Sequence, residues 1–163
     1  MRNQHEEFME LALQEAEAAK QTSNMACGAV IVRDGQVVAR AHNEVQSSFD
    51  ITAHAETLAI RRLTLQSRKL NPSSQADSGP FSGSLLYATL EPCPMCCWAT
   101  CIAGISDLVI GARHADLGIS FGSYTVEKLL ELTGRRIRLT TGILTGRCID
   151  MLRSAPTFVP GPR

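Results

Sequence analysis

A chain of 163 residues with 44% hydrophobic content fits one globular domain with a sizeable core. Its 16 basic and 16 acidic side chains give a formal net charge of zero, so no global field draws it to nucleic acid. No apolar run approaches membrane-spanning length and the first residues lack a signal-peptide core, which points to a cytoplasmic protein without a membrane partner, whose 6 Cys are metal ligands and free thiols rather than disulfides.

The segment 6–20 carries Phe8, Leu11, Ala12, Ala16 and Ala19 at helical spacing with carboxylates between them, and reads as an amphipathic helix covering a sheet. Two β-rich runs, 28–33 and 36–42, are joined by Asp34-Gly35 and form a hairpin. Asn43 ends it as a turn residue, and His42 is a surface or edge side chain. A polar loop over 44–50 leads to a second helix from His54 through Leu63 toward Leu65, with Asp50 or Thr52 as its cap. From 67 to 83 the composition turns to Ser, Pro, Gly, Asn and Asp, a surface loop or an ordered lid.

A strand over 84–89 delivers the chain to Glu91-Pro92-Cys93-Pro94-Met95-Cys96, and a helix follows over 94–103. Cys97 and Cys101 lie one turn apart in it and read as core or subunit-contact residues, as do Cys27 and Cys148 by burial alone. Glu91 is either an orienting partner of the site or a plain ion-pair residue. A strand over 106–111, a helix over 124–132, a strand over 136–140 and a helix over 142–152 complete a domain spanning 1–155. A tail over 156–163 holds three prolines and a single charge, and its Phe158 is placed to close a pocket or to pack on a second subunit.

The chemistry concentrates in His54-Ala55-Glu56 and Cys93-x-x-Cys96. One imidazole and two thiolates make three zinc ligands with a fourth tetrahedral position open, the ligand count of a catalytic zinc rather than a structural one. Cys93 and Cys96 at a helix start point both sulfurs at one spot, and the positive end of the helix favours their ionised form. His54 and Glu56, two residues apart, diverge on their helix, so His54 ligates while Glu56 leans over the open position as a proton carrier.

His-x-Glu followed by Pro-Cys-x-x-Cys is the zinc deaminase signature. On these residues, together with Gly28-Ala29-Val30-Ile31-Val32, Asn43 and the stretch 85–112, the chain resembles the cytidine deaminase superfamily, in the branch of bacterial tRNA adenosine deaminases and guanine deaminases. The likeness runs from about residue 8 to about 152. It implies a three-layer α/β/α cytidine deaminase-like fold with a mixed five-stranded sheet, one Zn2+ per chain and a homodimer. It also implies substrate contacts from Asn43 and from the Ala55 N–H. In the tRNA enzymes an Arg-Asp pair meets the RNA near the position of Arg113-His114; here His114 replaces that Asp, so an acceptor for a ribose hydroxyl is lost, and His114 either borders the substrate pocket or is an exposed loop residue.

These readings predict a zinc-dependent hydrolytic deaminase of a small-molecule purine or pyrimidine base or nucleoside, with the neutral charge and the non-basic tail placing tRNA adenosine second. A non-enzymatic zinc-stabilised interaction domain ranks last, because no second Cys-x-x-Cys offers a fourth ligand.

Overall fold

The computed structural model describes residues 3–70, 72–73 and 81–158. Strands β1 (Gly28–Arg33) and β2 (Gln36–His42) pair antiparallel through Asp34 and Gly35, whose φ angles of 51° and 72° are both left-handed. Two such residues in succession give a turn whose twist matches that of the flanking strands, as the Asp-Gly pair predicts. β3 (Ser84–Leu90) pairs antiparallel with the other edge of β1. β4 (Asp107–Ala112) and β5 (Arg138–Thr141) then add in parallel, giving the order β2-β1-β3-β4-β5. Parallel neighbours need crossovers, and α4 (Pro94–Ala103) and α5 (Val126–Thr133) lie in them.

Side chains alternate along each strand, which sorts the helices into two layers. Gly28 meets α1 (Gln4–Gln21) so closely that a Cβ on it would stand 2.0 Å from the Ala12 carbonyl oxygen. On β3, the Tyr87 ring lies 5.3 Å from that of Phe8 on the same helix. Gly111 on β4 faces Cys148 of α6 (Thr145–Arg153), and α1 and α6 pack against each other on this side. The opposite face, holding Ile31, Leu86 and Ile110, is covered by α3 (Ala55–Leu70) over β1 and β2; α3 packs on α4, and α4 on α5. The expected three-layer α/β/α arrangement and mixed sheet are therefore present.

The differences from the sequence reading are local. α3 continues to Leu70, so its last turn occupies the start of the expected loop; residue 71 and residues 74–80 of that loop lie outside the described residues, and the lid reading with them. The Asp50 and Thr52 side chains bond each other in place of capping α3: Asp50 Oδ1 accepts from Thr52 N at 2.8 Å and from Thr52 Oγ1 at 2.6 Å. A short helix, α2 (Val45–Ser48), stands in the expected polar loop. His42 is not a free edge residue, because buried Glu15 on α1 binds His42 Nδ1 at 2.9 Å and Arg40 Nε at 2.5 Å, tying α1 to β2. α6 starts at Thr145, later than expected, because Leu144 holds a left-handed φ of 53°.

Candidate active site

Cys93 is the N-cap of α4, Pro94 sits at its first positions, and Cys96 lies on the first turn. Proline suits that place because its missing N–H would have no helical partner. His54 stands just before α3, with Glu56 inside its first turn. Cys93 Sγ is 3.6 Å and Cys96 Sγ 3.5 Å from His54 Nδ1, and all three ligand atoms lie within 4.8 Å of one another. With metal–sulfur and metal–nitrogen bonds of about 2.3 and 2.0 Å, a tetrahedral zinc sets its N and S ligands about 3.5 Å apart. The donor set and spacing fit that ion.

The protonation pattern points the same way. The Cys93 thiol is pulled down to about 4, first by its hydrogen bond with Cys96 and also by His54, against burial. Cys96 is pushed up by that same bond and by burial, and His54 is raised mainly by its bond with Cys93. Binding of a divalent cation turns both thiols into thiolates, the form toward which Cys93 is already pulled. Glu56 is 7% exposed, and burial raises its carboxyl above the ordinary range. It faces a cavity of about 310 Å³ also lined by His54, Cys93, Asn43, Glu91 and His114. The Ala55 N–H belongs to the first turn of α3, where no helical carbonyl is available to it.

Residues 2–112 match the family model for the zinc-binding region of cytidine and deoxycytidylate deaminases. The chain belongs to this family. The chloroplastic tRNA(adenine(34)) deaminase of Arabidopsis thaliana is 43% identical over 111 residues, 68% of this chain and 8% of that protein. The tRNA-specific adenosine deaminase of Aquifex aeolicus is 38% identical over 107 residues, 66% of this chain and 65% of that one. The chain therefore spans less than two thirds of either relative. A solved tRNA:A34 deaminase, active in A-to-I editing at the wobble position, superposes with a TM-score of 0.73 at 33% identity, covering 90% of this chain and 99% of that chain. The guanine deaminase of Nitrosomonas europaea superposes with a TM-score of 0.74 at 26% identity, covering 92% and 83%.

In this deaminase-family chain, Glu91 resolves into a loop anchor. It is 5% exposed, accepts from the His114 backbone N–H at 2.9 Å and pairs with Arg113 Nε at 3.0 Å. Arg113 also reaches both Glu127 oxygens at 2.9 Å, which joins the segment after β4 to α5. His114 is buried beside the cavity, its ring 5.1 Å from that of Phe121 in an edge-on contact. Burial lowers its imidazole below the ordinary value against the opposing pull of Glu91, so it faces the cavity neutral. Asn43 Oδ1 accepts from Val45 N at 3.2 Å in a turn, as the turn reading has it, and the residue lines the cavity.

Cys27, Cys97, Cys101 and Cys148 are buried in the core as expected, and Cys27 also lines the cavity. It is an un-ionised thiol there, raised by burial and by Glu56. Phe121 and Thr157 also line the cavity and were not singled out as site residues, whereas Phe158 packs on the core. Both join the site through tertiary contacts that no local pattern announces.

Proposed function

We propose that the chain is a zinc-dependent hydrolytic deaminase that converts an adenosine of tRNA to inosine with release of ammonia. The observation that carries the chemistry is the triad of His54, Cys93 and Cys96 at tetrahedral spacing with buried Glu56 beside it in one cavity. The substrate is supported by the tRNA adenosine deaminases among its relatives, one of whose structures it covers almost completely.

His54, Cys93 and Cys96 would hold the ion, and zinc so held would supply a water acidified to a pKa of about 7. Glu56 accepts a proton as water adds to the amino-bearing ring carbon, and passes it to the neighbouring ring nitrogen. Glu56 then takes the proton of the added hydroxyl and delivers it to the exocyclic nitrogen; the C–N bond breaks and ammonia leaves as the ring carbonyl forms. A carboxyl with a raised pKa suits both directions of transfer, and Asn43 and His114, which line the cavity, hold the ring together with the Ala55 N–H that the family resemblance implies.

A free purine base is the second reading. It is favoured by the zero net charge, by His114 in place of an acidic RNA contact, and by the likeness to a guanine deaminase. The protein acts in the cytoplasm on this proposal, and no described helix is long and apolar enough to cross a membrane. A homodimer is part of the same reading, since Met95, Trp98 and Ile102 expose an apolar ridge on α4, with Trp98 47% and Ile102 48% accessible.

The test is ammonia release by zinc-loaded protein on adenine, adenosine, guanine, cytosine, cytidine and an anticodon stem-loop RNA with adenosine at the wobble position. Inosine in the RNA, abolished in Glu56→Ala with zinc retained, is the expected result. Turnover of a free base alone would replace the substrate and keep the mechanism. Turnover of none would overturn the reading.

A further inference from the structure

Phe121, on the segment between β4 and α5, lines the cavity and is 46% exposed, whereas Cys27, Glu56, Glu91 and His114 around the same cavity are each 9% exposed or less. Those four belong to its floor and Phe121 to its mouth. The exposed ring is also held in place. It lies 5.1 Å from the His114 ring at an interplanar angle of 68°, and 6.2 Å from the Tyr124 ring at 80°. Both neighbours are anchored: His114 N donates to Glu91 at 2.9 Å, and Tyr124 Oη donates at 2.7 Å to the carbonyl of Pro92, the residue before Cys93. The Phe121 carbonyl itself accepts from Tyr124 N at 3.2 Å. Neither ring contact is a parallel stack, so these neighbours leave the stacking position over Phe121 to another ring. A side chain ordered before binding loses little entropy when it binds.

We infer that Phe121 is a binding residue at the mouth of the site, on which the nucleobase adjoining the reacting adenosine stacks. The floor, with the three metal ligands and Glu56, takes the reacting ring, so the mouth meets what the substrate carries beyond it. In a polynucleotide this is the ribose and the next nucleotide, whose planar base stacks on an aromatic side chain whatever its identity. A chain of zero net charge has no global field to hold a polynucleotide, and stacking supplies affinity of another kind. A free base carries no second ring and would leave Phe121 bare. The inference rests on the tRNA adenosine reading of the same site and adds the side chain that engages the substrate beyond its reacting ring.

The test uses zinc-loaded protein, the anticodon stem-loop RNA, and copies of that RNA with an abasic nucleotide on one or the other side of the wobble adenosine. Steady-state turnover and fluorescence anisotropy are measured on each. Phe121→Ala and Phe121→Leu are expected to raise KM and weaken RNA binding roughly five- to hundredfold with kcat little changed, and Phe121→Trp to keep wild-type values. Leucine retains apolar bulk against His114 and Tyr124 but cannot stack, so wild-type behaviour in Phe121→Leu would mean that the ring serves packing alone and would overturn the inference. One of the abasic RNAs is expected to bind wild-type protein as weakly as the intact RNA binds Phe121→Ala, and to lose nothing further in that variant. Full additivity of the two changes would also overturn it. RNA turnover with unchanged KM in Phe121→Ala would sink the inference alone, whereas wild-type protein that neither binds nor turns over the RNA would sink the substrate reading and the inference together.

Discussion

Removing the Glu91 carboxylate separates an anchor from a reacting group. In Glu91→Ala the buried His114 N–H loses its acceptor at 2.9 Å, a loss of about 1–3 kcal/mol for an unsatisfied donor. Arg113 keeps its two contacts at 2.9 Å with Glu127 and its side chain is 26% exposed, so its lost ion pair adds at most about 1 kcal/mol. The sum is about 1–4 kcal/mol, or roughly a 2–16 °C fall in melting temperature for a chain of this size. Glu91→Gln retains an acceptor for the N–H and loses only the charge, so about 1 kcal/mol is expected. Urea unfolding of the two zinc-loaded variants measures the difference, and turnover measures its consequence. His114 and Phe121 shift with the loop they stand on, so KM rises in Glu91→Ala while zinc content stays at wild-type level. Equal stability losses in Ala and Gln would refute the anchor. So would a Gln variant of wild-type stability that is as inactive as Ala, since that behaviour belongs to a proton carrier.

Glu56→Gln retains size and hydrogen bonding but cannot carry a proton, so turnover falls roughly 10²- to 10⁴-fold while one zinc per chain is retained; elemental analysis beside kinetics checks both halves. Cys96→Ser loses bound zinc and Cys101→Ser keeps it, because only the former lies in the ligand cluster. Gly28→Ala forces a Cβ to within 2.0 Å of the Ala12 carbonyl and 2.6 Å of the Ala16 nitrogen, both backbone atoms, so α1 must move. Overpacking of this severity lowers stability by about 3 kcal/mol or more in a denaturant melt, and wild-type stability in that variant would contradict the close approach of α1 to β1.

Local signals were legible and long-range ones were not. Asp34-Gly35 announced the hairpin because the two left-handed residues it needs are cheap for that pair. Pro94 and Gly104 bracketed α4 to the residue, since Gly104 takes the left-handed conformation (φ 76°) that ends the helix. The zinc ligands were legible because their chemistry is confined to few residue types at fixed spacing. The last turn of α3 was not, because Ser67 and Arg68 extend a helix already nucleated by its buried face, an effect that composition does not record. The anchoring role of Glu91 was open as well, because its partners lie 22 and 23 residues away (113 and 114 minus 91) across a strand crossover.

The sheet topology explains why such distant residues meet. β1 runs antiparallel to both β2 and β3, while β3 and β4 run parallel, as the register of Gly28 with His42 and of Leu90 with Ala112 records. The start of β1 therefore lies at the same sheet edge as the ends of β2, β3 and β4. That edge receives Cys27 before β1, Asn43 after β2, Glu91 after β3 and His114 after β4, and each of them lines the cavity. α3 and α4 present their N-terminal ends there, bringing His54 and Glu56 from one helix and Cys93 and Cys96 from the other. Both helix dipoles then favour negative charge at the site, which suits thiolate ligands and an ionised Glu56. Burial opposes that charge on Glu56, and the carboxyl needs both influences in order to accept a proton and give it back. The antiparallel hairpin thus does more than extend the sheet: it turns the chain so that Cys27 and Asn43 stand at the carboxyl end of the parallel strands.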